Sequence, residues 1–377
     1  MSFAEGPSDG RTAAPPEPIA FLAIAEAHQV PHWLPVALRL AADPAMAVSV
    51  LSPSCAILDM VAAHDPAGRL RPVRLRRPSL RPDSLFDLPS RLATLLANYR
   101  IIAAAPTIVT TEVSSALLRS IPGFRARLIQ IKHGAGDREG GYRGRHAAYD
   151  LTLVAGEKDK AELIARGLAT AENCVVTGYA KAEMMAQPVR LFDSDRPVVL
   201  YNPHFDRRLS SWMRHGPAVL RCLETLHDFS IVIAPHVKMA RAARPIVTAA
   251  PHIRVDMGSA RSIDMSYTAA ADIYLGDVSS QVYEFLLRPR PCVFLNLDRI
   301  DHVGDKAFAH WQLGEVVTDI ADLPAALRRA PVRHHDYRAA QQAAVAHSID
   351  LSPVPASQRQ ADAIRAFLKK SATGAGR

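Results

Sequence analysis

The chain has 377 residues, more than one compact domain usually holds, so its length favours two domains. Apolar residues make up 49% of the chain and charged residues 22%, a composition that allows a large core and excludes a wholly disordered protein. The formal net charge of +8 favours anionic partners such as phosphates or anionic lipids.

Residues 1–17 are polar and rich in Pro and Gly, which predicts a disordered leader without the apolar core of a secretory signal. The four cysteines are far apart and lack metal-ligand spacing, a pattern typical of a reducing compartment. No run approaches 18 apolar residues, so we expect no membrane-spanning helix. We therefore expect a cytoplasmic protein whose membrane contact, if any, is peripheral on the inner face of the cell membrane.

Strands and helices alternate through the first half of the chain. Strands are predicted within 18–28, 45–52, 107–112, 127–134, 150–155 and 173–178, and helices within 29–43, 55–65, 84–100 and 156–167. A polar, Pro-containing break at 186–197 ends this series.

A second series follows, with strands in 197–206, 229–238, 252–257, 271–276, 291–296 and 315–318, and helices in 215–228, 264–271, 279–287, 320–330 and 356–370. Such alternation predicts an α/β protein with two doubly wound, parallel-sheet, Rossmann-like domains that face each other across a cleft. We expect an N-terminal acceptor-side domain at 18–188 and a donor-binding domain at 189–352. The remainder, 353–377, is predicted to be a helix that packs back on the N-terminal domain and a flexible tail.

Polar or glycine-containing turns follow five of the predicted strands. They are His133-Gly134, Gly178-Tyr179, Asn202-Pro203-His204, Pro235-His236 and Asp277 to Ser280. Ligands of open parallel sheets bind outside the carboxyl ends of the strands. The five turns therefore predict one cleft between the domains.

Ser279 and Ser280 open a predicted helix, where unpaired backbone N–H groups carry partial positive charge. One serine would be enough to cap the helix, whereas two hydroxyls and the free amides favour a phosphate site. Glu284, one turn further, is within reach of a ribose beside that phosphate.

Histidines provide candidate catalytic groups in the same turns. A neutral His133 imidazole beside Gly134 can accept a proton from an attacking hydroxyl, and His236 with Lys238 can stabilise a leaving phosphate. His204 can add positive charge to the same cleft and is a further candidate for binding the phosphates. The alternative for each histidine is a turn or strand-end residue without a catalytic role.

The arginine-rich segment 69–82, "RLRPVRLRRPSLRP", has two interpretations. It is either a solvated loop beside a short strand or a contact for phosphates or an anionic membrane. The absence of interleaved aromatic residues argues against nucleic-acid binding.

Residues 127–297 contain "KHG", "YDLTLVAGEKDKAELIARG", "VVTGYAKAE", "VLYNPHFDRRLSSW", "IAPH" and "ADIYLGDVSSQVYEFLLRPRPCVFLN". In this order they resemble the CDP-glycerol glycerophosphotransferase family, teichoic-acid-type enzymes of the GT-B superfamily. The resemblance implies that His133 is the catalytic base, that His236 contacts the donor phosphate, and that Ser279 and Ser280 hold the donor phosphates. The resemblance also implies that Glu284 contacts the ribose of the donor.

The resemblance implies a metal-independent, cofactor-free transferase. Its donor would be CDP- or UDP-activated, its transferred group a glycerol phosphate, other polyol phosphate or sugar, and its acceptor a hydroxyl of a surface polysaccharide or lipid-linked molecule. Gly178 is assigned to the nucleoside side of the donor, and Gly134, Asn202 and Asp277 to supporting turns. Two alternatives stay open: a nucleotide-sugar 2-epimerase of the same architecture and a non-catalytic nucleotide-binding module.

Overall fold

The computed structural model describes residues 15–85, 87–137, 141–185, 187–239 and 245–374. Within these ranges thirteen strands form two separate sheets, and every pair of neighbouring strands is parallel. The prediction of two parallel α/β sheets is therefore confirmed.

The first sheet has the strand order β3-β2-β1-β4-β5-β6-β7. Its strands are β1 (Glu17–Leu22), β2 (Met46–Ser52), β3 (Arg71–Arg74), β4 (Thr107–Thr110), β5 (Arg127–Ile131), β6 (Leu151–Val154) and β7 (Cys174–Val176). The central strands are apolar and buried along almost their whole length, because helices cover both faces of a parallel sheet.

The second sheet has the order β10-β9-β8-β11-β12-β13. Its strands are β8 (Val198–Asn202), β9 (Ser230–Ile233), β10 (Ile253–Val255), β11 (Ile273–Gly276), β12 (Cys292–Leu295) and β13 (Glu315–Val317). Strand order reverses beside β8 and β11, and it is at such a switch point that the connecting turns diverge and leave a crevice for a ligand.

The helices fill the connections between strands. They are α1 (Val30–Ala41), α2 (Cys55–Ala63), α3 (Arg91–Ala97), α4 (Tyr99–Ala103), α5 (Glu157–Ala165), α6 (Ser211–Glu224), α7 (Ala260–Ile263), α8 (Ser266–Ala270), α9 (Gln281–Phe285), α10 (Leu323–Ser348) and α11 (Ala356–Gly374). None of the helices in the described ranges is long and apolar enough to span a lipid bilayer.

The single helix predicted over 84–100 is wrong. Helix α3 begins only at Arg91, where the hydroxyl of Ser90 accepts a hydrogen bond from the Ala93 N–H and caps the helix. Pro89 disfavours helical backbone at the residue before it, so the preceding leucines lie in a loop.

Two other helix boundaries also differ from the prediction. The helix expected over 264–271 begins only at Ser266, because Met265 has a left-handed backbone with φ of 62°, which separates α8 from the short α7. Helix α10 continues through Pro331 to Ser348, beyond its expected end at 330. The Gln341 amide anchors this extension by donating to the carbonyl oxygens of Arg290 and Leu313.

The last helix, α11, packs against α1 in the first domain. Ala361, Ile364 and Leu368 share a buried apolar cluster with Trp33 and Leu34. A second cluster joins the two sheets, since Ala135 and Tyr179 from the first pack with Val278 from the second. The two halves therefore meet at a packed interface that lies beside the carboxyl ends of the strands.

Candidate active site

The turns after β5 and β11 touch each other across the two sheets. A Cβ atom on Gly136 would lie 2.6 Å from the Cβ of Ser280, and one on Gly134 would lie 3.6 Å from the Ser280 hydroxyl. Gly134 also has φ of 76°, a conformation that glycine adopts without strain. These glycines therefore allow the His133 turn to approach the serine pair.

His133 is exposed at this junction, while protein surrounds the rest of the turn. Its Nδ1 lies 2.7 Å from the carbonyl oxygen of Thr111, which can only accept, so Nδ1 carries the proton. Although its side chain reaches solvent, desolvation by the protein packed around the ring, together with the positive charges of Lys132 and Lys238, lowers the pKa of His133 to about 4. At neutral pH the ring is therefore neutral, and Nε2 has a lone pair that can accept a proton.

His236 and His204, from the second sheet, have the opposite tautomer. The backbone N–H of Lys238 donates to Nδ1 of His236 at 3.2 Å, and that of Asp206 donates to Nδ1 of His204 at 2.9 Å. In each neutral ring Nε2 therefore carries the proton and can donate it to an anion. The two rings lie 5.9 Å apart.

Lys238 places a further positive charge beside these rings. Its ammonium lies 4.7 Å from the centre of the Phe205 ring, which itself lies 4.7 Å from the ring of His236. The charge of Lys238 also contributes to the lowered pKa of His133. The structure thus brings together the predicted His133, His236 and Lys238 from the two sheets.

Two further histidines, His28 and His32, line the gap and were not predicted. The His28 ring lies 5.7 Å from that of His236, and the His32 ring lies 6.0 Å from that of His133. Burial, followed by the charges of neighbouring groups, lowers both pKa values well below the usual range. His28 follows β1, so the rule of polar turns at strand ends would have found it.

The serine pair divides into two environments. Ser279 is buried and its hydroxyl lies 3.2 Å from the side-chain oxygen of Asn202, whereas Ser280 is exposed and makes no side-chain cap to the helix. Helix α9 has only five residues, so its dipole is weaker than expected for a helix over 279–287. Ser280 is thus the member of the pair that is open to a ligand.

Asp277 and Asn202 support the turns. The Asp277 carboxylate accepts from the backbone N–H groups of His204 and Ser211 at 2.9 and 2.7 Å, and from the Ser211 hydroxyl. Burial raises the pKa of Asp277 to about 6. The Asn202 amide donates to the carbonyl oxygen of Ala234 and thereby joins the turns after β8 and β9.

Glu284 forms a buried bridge between the two halves. Both carboxylate oxygens lie 2.8 Å from the ammonium of Lys181, and the hydroxyl of Tyr179 donates to one of them. A second contact between the halves lies nearby: the Asp137 carboxylate of the first half accepts a hydrogen bond from the Tyr283 hydroxyl of the second half and also pairs with Lys158. Side chains on both sides of the gap therefore hold the halves together.

Gly178 does not face the gap. A Cβ atom there would lie 2.3 Å from the Arg359 guanidinium and 3.1 Å from the Asp350 carbonyl oxygen, and the Gly178 carbonyl accepts from Gln360. The segment before and within α11 covers this turn. The neighbouring Tyr179 and Lys181 are the residues that reach the site.

An open pocket lies next to Glu284 on the second sheet, and its empty volume of about 340 Å³ includes adjoining solvent. Its polar lining includes Arg261, Ser262, Thr268 and Gln281. The Ser262 hydroxyl is buried without a hydrogen-bond partner, so it is available to a ligand. These residues lie on short helices without a motif, and the sequence did not indicate them.

Within the described ranges, no three metal-ligating side chains of His, Cys, Asp or Glu converge closely enough to hold a metal ion. No protein-family model matches the chain, and no curated protein sequence matches it.

Solved structures do resemble it. The wall teichoic acid polymerase TagF is 15% identical with a TM-score of 0.64, over 94% of this chain and 90% of that one. A protein assigned as a UDP-N-acetylglucosamine 2-epimerase from Listeria monocytogenes is 12% identical with a TM-score of 0.62, over 95% and 98%. The glycotransferase of kitacinnamycin is 16% identical with a TM-score of 0.56, over 93% and 99%. With its two parallel sheets, the chain therefore has the GT-B fold of these neighbours.

Proposed function

We propose that the protein is a metal-independent transferase. It would move a glycerol phosphate, another polyol phosphate or a sugar from a CDP- or UDP-activated donor to a hydroxyl of a surface-polysaccharide or lipid-linked acceptor. The observation that carries this proposal is the hydrogen bonding of the histidine Nδ1 atoms. Nδ1 of His133 lies against a carbonyl oxygen, which leaves its Nε2 able to accept a proton, whereas Nδ1 of His236 and of His204 accepts from a backbone N–H, which leaves each Nε2 able to donate.

In the proposed reaction His133 takes the proton of the acceptor hydroxyl. The acceptor oxygen bonds to the phosphorus of a CDP-polyol, or to the anomeric carbon of a UDP-sugar, as the bond to the leaving oxygen breaks. CMP leaves in the first case and UDP in the second. The N–H groups of His236 and His204 and the charge of Lys238 stabilise the negative charge that develops on the leaving phosphate.

The nucleoside end of the donor is proposed to enter the pocket beside Glu284, with the phosphates at Ser280. The ribose hydroxyls would then bond to Glu284 in competition with Lys181. Support comes from the position of the pocket next to the Ser280 turn and from the unpartnered hydroxyl of Ser262. TagF has also been soaked with CDPG, which is consistent with such a donor on this fold.

The epimerase alternative requires carboxylates that remove and return a proton. Six carboxylates lie on or near the turns of the gap, and each is already engaged: Glu26 by Arg91, Glu112 by Ser114 and Ser115, Asp137 by Lys158 and Tyr283, Asp206 by Arg208, Asp277 by Ser211 and the backbone N–H of His204, and Glu284 by Lys181. A base that is tied by such contacts is poorly placed to move a proton. This observation favours the transferase.

A thermal-shift screen of CDP-glycerol, CDP-ribitol and UDP- and CMP-sugars tests the proposal first, since a ligand that binds only the folded state raises the unfolding temperature. The donor that binds is then incubated with an acceptor, and nucleotide release is followed by phosphorus NMR. Release that depends on the acceptor supports the transferase. Conversion of a UDP-sugar without acceptor supports the epimerase, and binding without either reaction supports the non-catalytic module.

The pH dependence of the reaction follows from the environment of His133. Its pKa is lowered to about 4, so the base stays neutral well below the usual 6.5. We expect kcat/KM to fall to half of its plateau value near pH 4 rather than near pH 6.5. Enzyme incubated at each pH and assayed at pH 7 controls for acid unfolding. A half-maximal rate near pH 6.5 would show that the base titrates normally.

Ser280→Ala is expected to weaken donor binding by about 1–3 kcal/mol, the cost of one hydrogen bond to a charged group. Calorimetric titration with the donor measures this change. Ser279→Ala should mainly lower the unfolding temperature, because its hydroxyl bonds to Asn202 and to the backbone of Gln281. Unchanged affinity in Ser280→Ala would show that the Ser280 hydroxyl does not bind the donor phosphates.

A further inference from the structure

Exposed apolar side chains are concentrated in one short part of the chain. Eleven large hydrophobic residues in the described ranges are exposed, and four of them fall between residues 80 and 101. Leu80 is fully exposed, and Leu92, Leu96 and Ile101 are exposed by 50, 59 and 47%. Isolated exposed leucines are ordinary, but such a concentration on one surface indicates a binding site.

These side chains belong to neighbouring elements. Leu92 and Leu96 are four residues apart on α3 and so lie on the same helical face. The loop that contains Leu80 is attached to the end of this helix, because the Asn98 side chain bonds to both the N–H and the carbonyl oxygen of Arg76. These bonds place Arg76 of the loop beside the C-terminal end of α3.

Positive charge surrounds the leucines. Residues 69–100 include eight arginines and two aspartates, a net of six positive charges in a chain whose total is +8. Some of these arginines fold the loop: Arg74 and Arg77 pair with Asp83, and Arg81 pairs with Asp87.

Other arginines remain available to a partner. Arg71, Arg76 and Arg100 are exposed and form no ion pair with any of the described residues. We call the basic-apolar surface the group Arg71, Arg76, Leu80, Leu92, Leu96, Arg100 and Ile101. It combines a net positive charge with exposed leucines.

We propose that the basic-apolar surface docks the protein on an anionic lipid bilayer. The arginines would contact lipid phosphates while the leucines enter the boundary between headgroups and acyl chains, the arrangement typical of peripheral membrane surfaces. Single-stranded nucleic acid would require stacking aromatic faces, which this surface lacks among its described residues. Charge and apolar exposure together therefore favour a membrane over a polyanion.

The docking surface borders the gap between the sheets. Arg91, the first residue of α3, pairs with Glu26 at 2.8 Å, and Glu26 is close enough to Lys238 for the charge of that lysine to lower its pKa. A bilayer that contacts this surface would therefore lie beside the gap between the two sheets. If the proposed transferase function holds, the acceptor is lipid-linked and reaches His133 from the membrane.

Co-sedimentation with vesicles, without nucleotide, tests docking separately from the reaction. We expect binding to mixed phosphatidylcholine–phosphatidylglycerol vesicles, little binding to pure phosphatidylcholine, and weakening at high salt. Arg71→Glu/Arg76→Glu and Leu92→Ser/Leu96→Ser should each lower the partition coefficient at least about tenfold. Unchanged circular dichroism and unfolding temperature would show that these surface variants fold.

Matched controls lie on the second half of the chain. Arg221→Glu/Arg338→Glu changes two exposed arginines, and Val303→Ser/Val332→Ser changes two exposed apolar side chains. Both should bind vesicles as the unmodified protein does. The proposal is overturned if the unmodified protein does not bind anionic vesicles or binds only soluble polyanions such as RNA. It is also overturned if the control variants lose as much vesicle binding as the surface variants do.

Discussion

His133→Ala is expected to lower kcat by about 10²–10⁴-fold, the usual contribution of a general base. The reason is the lone pair on Nε2, which exists at neutral pH because Nδ1 donates to Thr111 and the ring is neutral. Donor affinity should stay nearly unchanged, since the base acts on the acceptor. Nucleotide release measures the first effect, and thermal shift with the donor measures the second.

His64→Ala is the matched control. Its Nδ1 also lies within hydrogen-bond distance of a main-chain carbonyl, that of Met60, but His64 is at the C-terminal end of α2 and not on a turn that follows a strand. This substitution removes the same kind of imidazole and should leave kcat unchanged. If His133→Ala turns over at the unmodified rate, His133 has no part in the mechanism and the proposed reaction loses its base.

The sheets could be predicted because their strands are short apolar runs that end in polar turns, a pattern that depends on local sequence. Errors arose where local signals conflicted with tertiary contacts. The periodicity of 84–100 was helical, yet Pro89 and the Ser90 cap start the helix at Arg91. The helix predicted to end at residue 330 continues through Pro331 to Ser348, where the side chain of Gln341 anchors it.

Candidate site residues were predicted where a polar residue directly follows a strand, as for His133 and His236. Partners across the gap could not be predicted in this way. Lys181 and Glu284 are 103 residues apart and meet only because the two sheets face each other. Similarly, nothing in the local sequence shows that the segment before α11 covers Gly178.

Lys181→Met is expected to destabilise the protein by about 3–5 kcal/mol, because it leaves the Glu284 carboxylate buried without its cation. Glu284 is only 7% exposed, so solvent screens its charge poorly. The double variant Lys181→Met/Glu284→Gln should recover most of this loss, since no buried charge remains and the amide oxygen can still accept from Tyr179. Differential scanning calorimetry of both variants measures the two changes.

Arg166→Met provides the comparison for a surface ion pair. Arg166, just after the last residue of α5, pairs with Glu162 one turn earlier, where both side chains reach solvent. Glu162 also lies 3.7 Å from the ammonium of Lys306, so the loss of Arg166 should cost less than about 1 kcal/mol. Each single variant removes one cation from one carboxylate, so the difference between their unfolding temperatures reports the effect of burial.

If Lys181→Met unfolds at the same temperature as Arg166→Met, the bridge to Lys181 does not stabilise Glu284. A double variant as unstable as Lys181→Met alone would assign the loss to the packing of the lysine chain instead. Recovery in the double variant would show that the loss came from the unpaired Glu284 carboxylate.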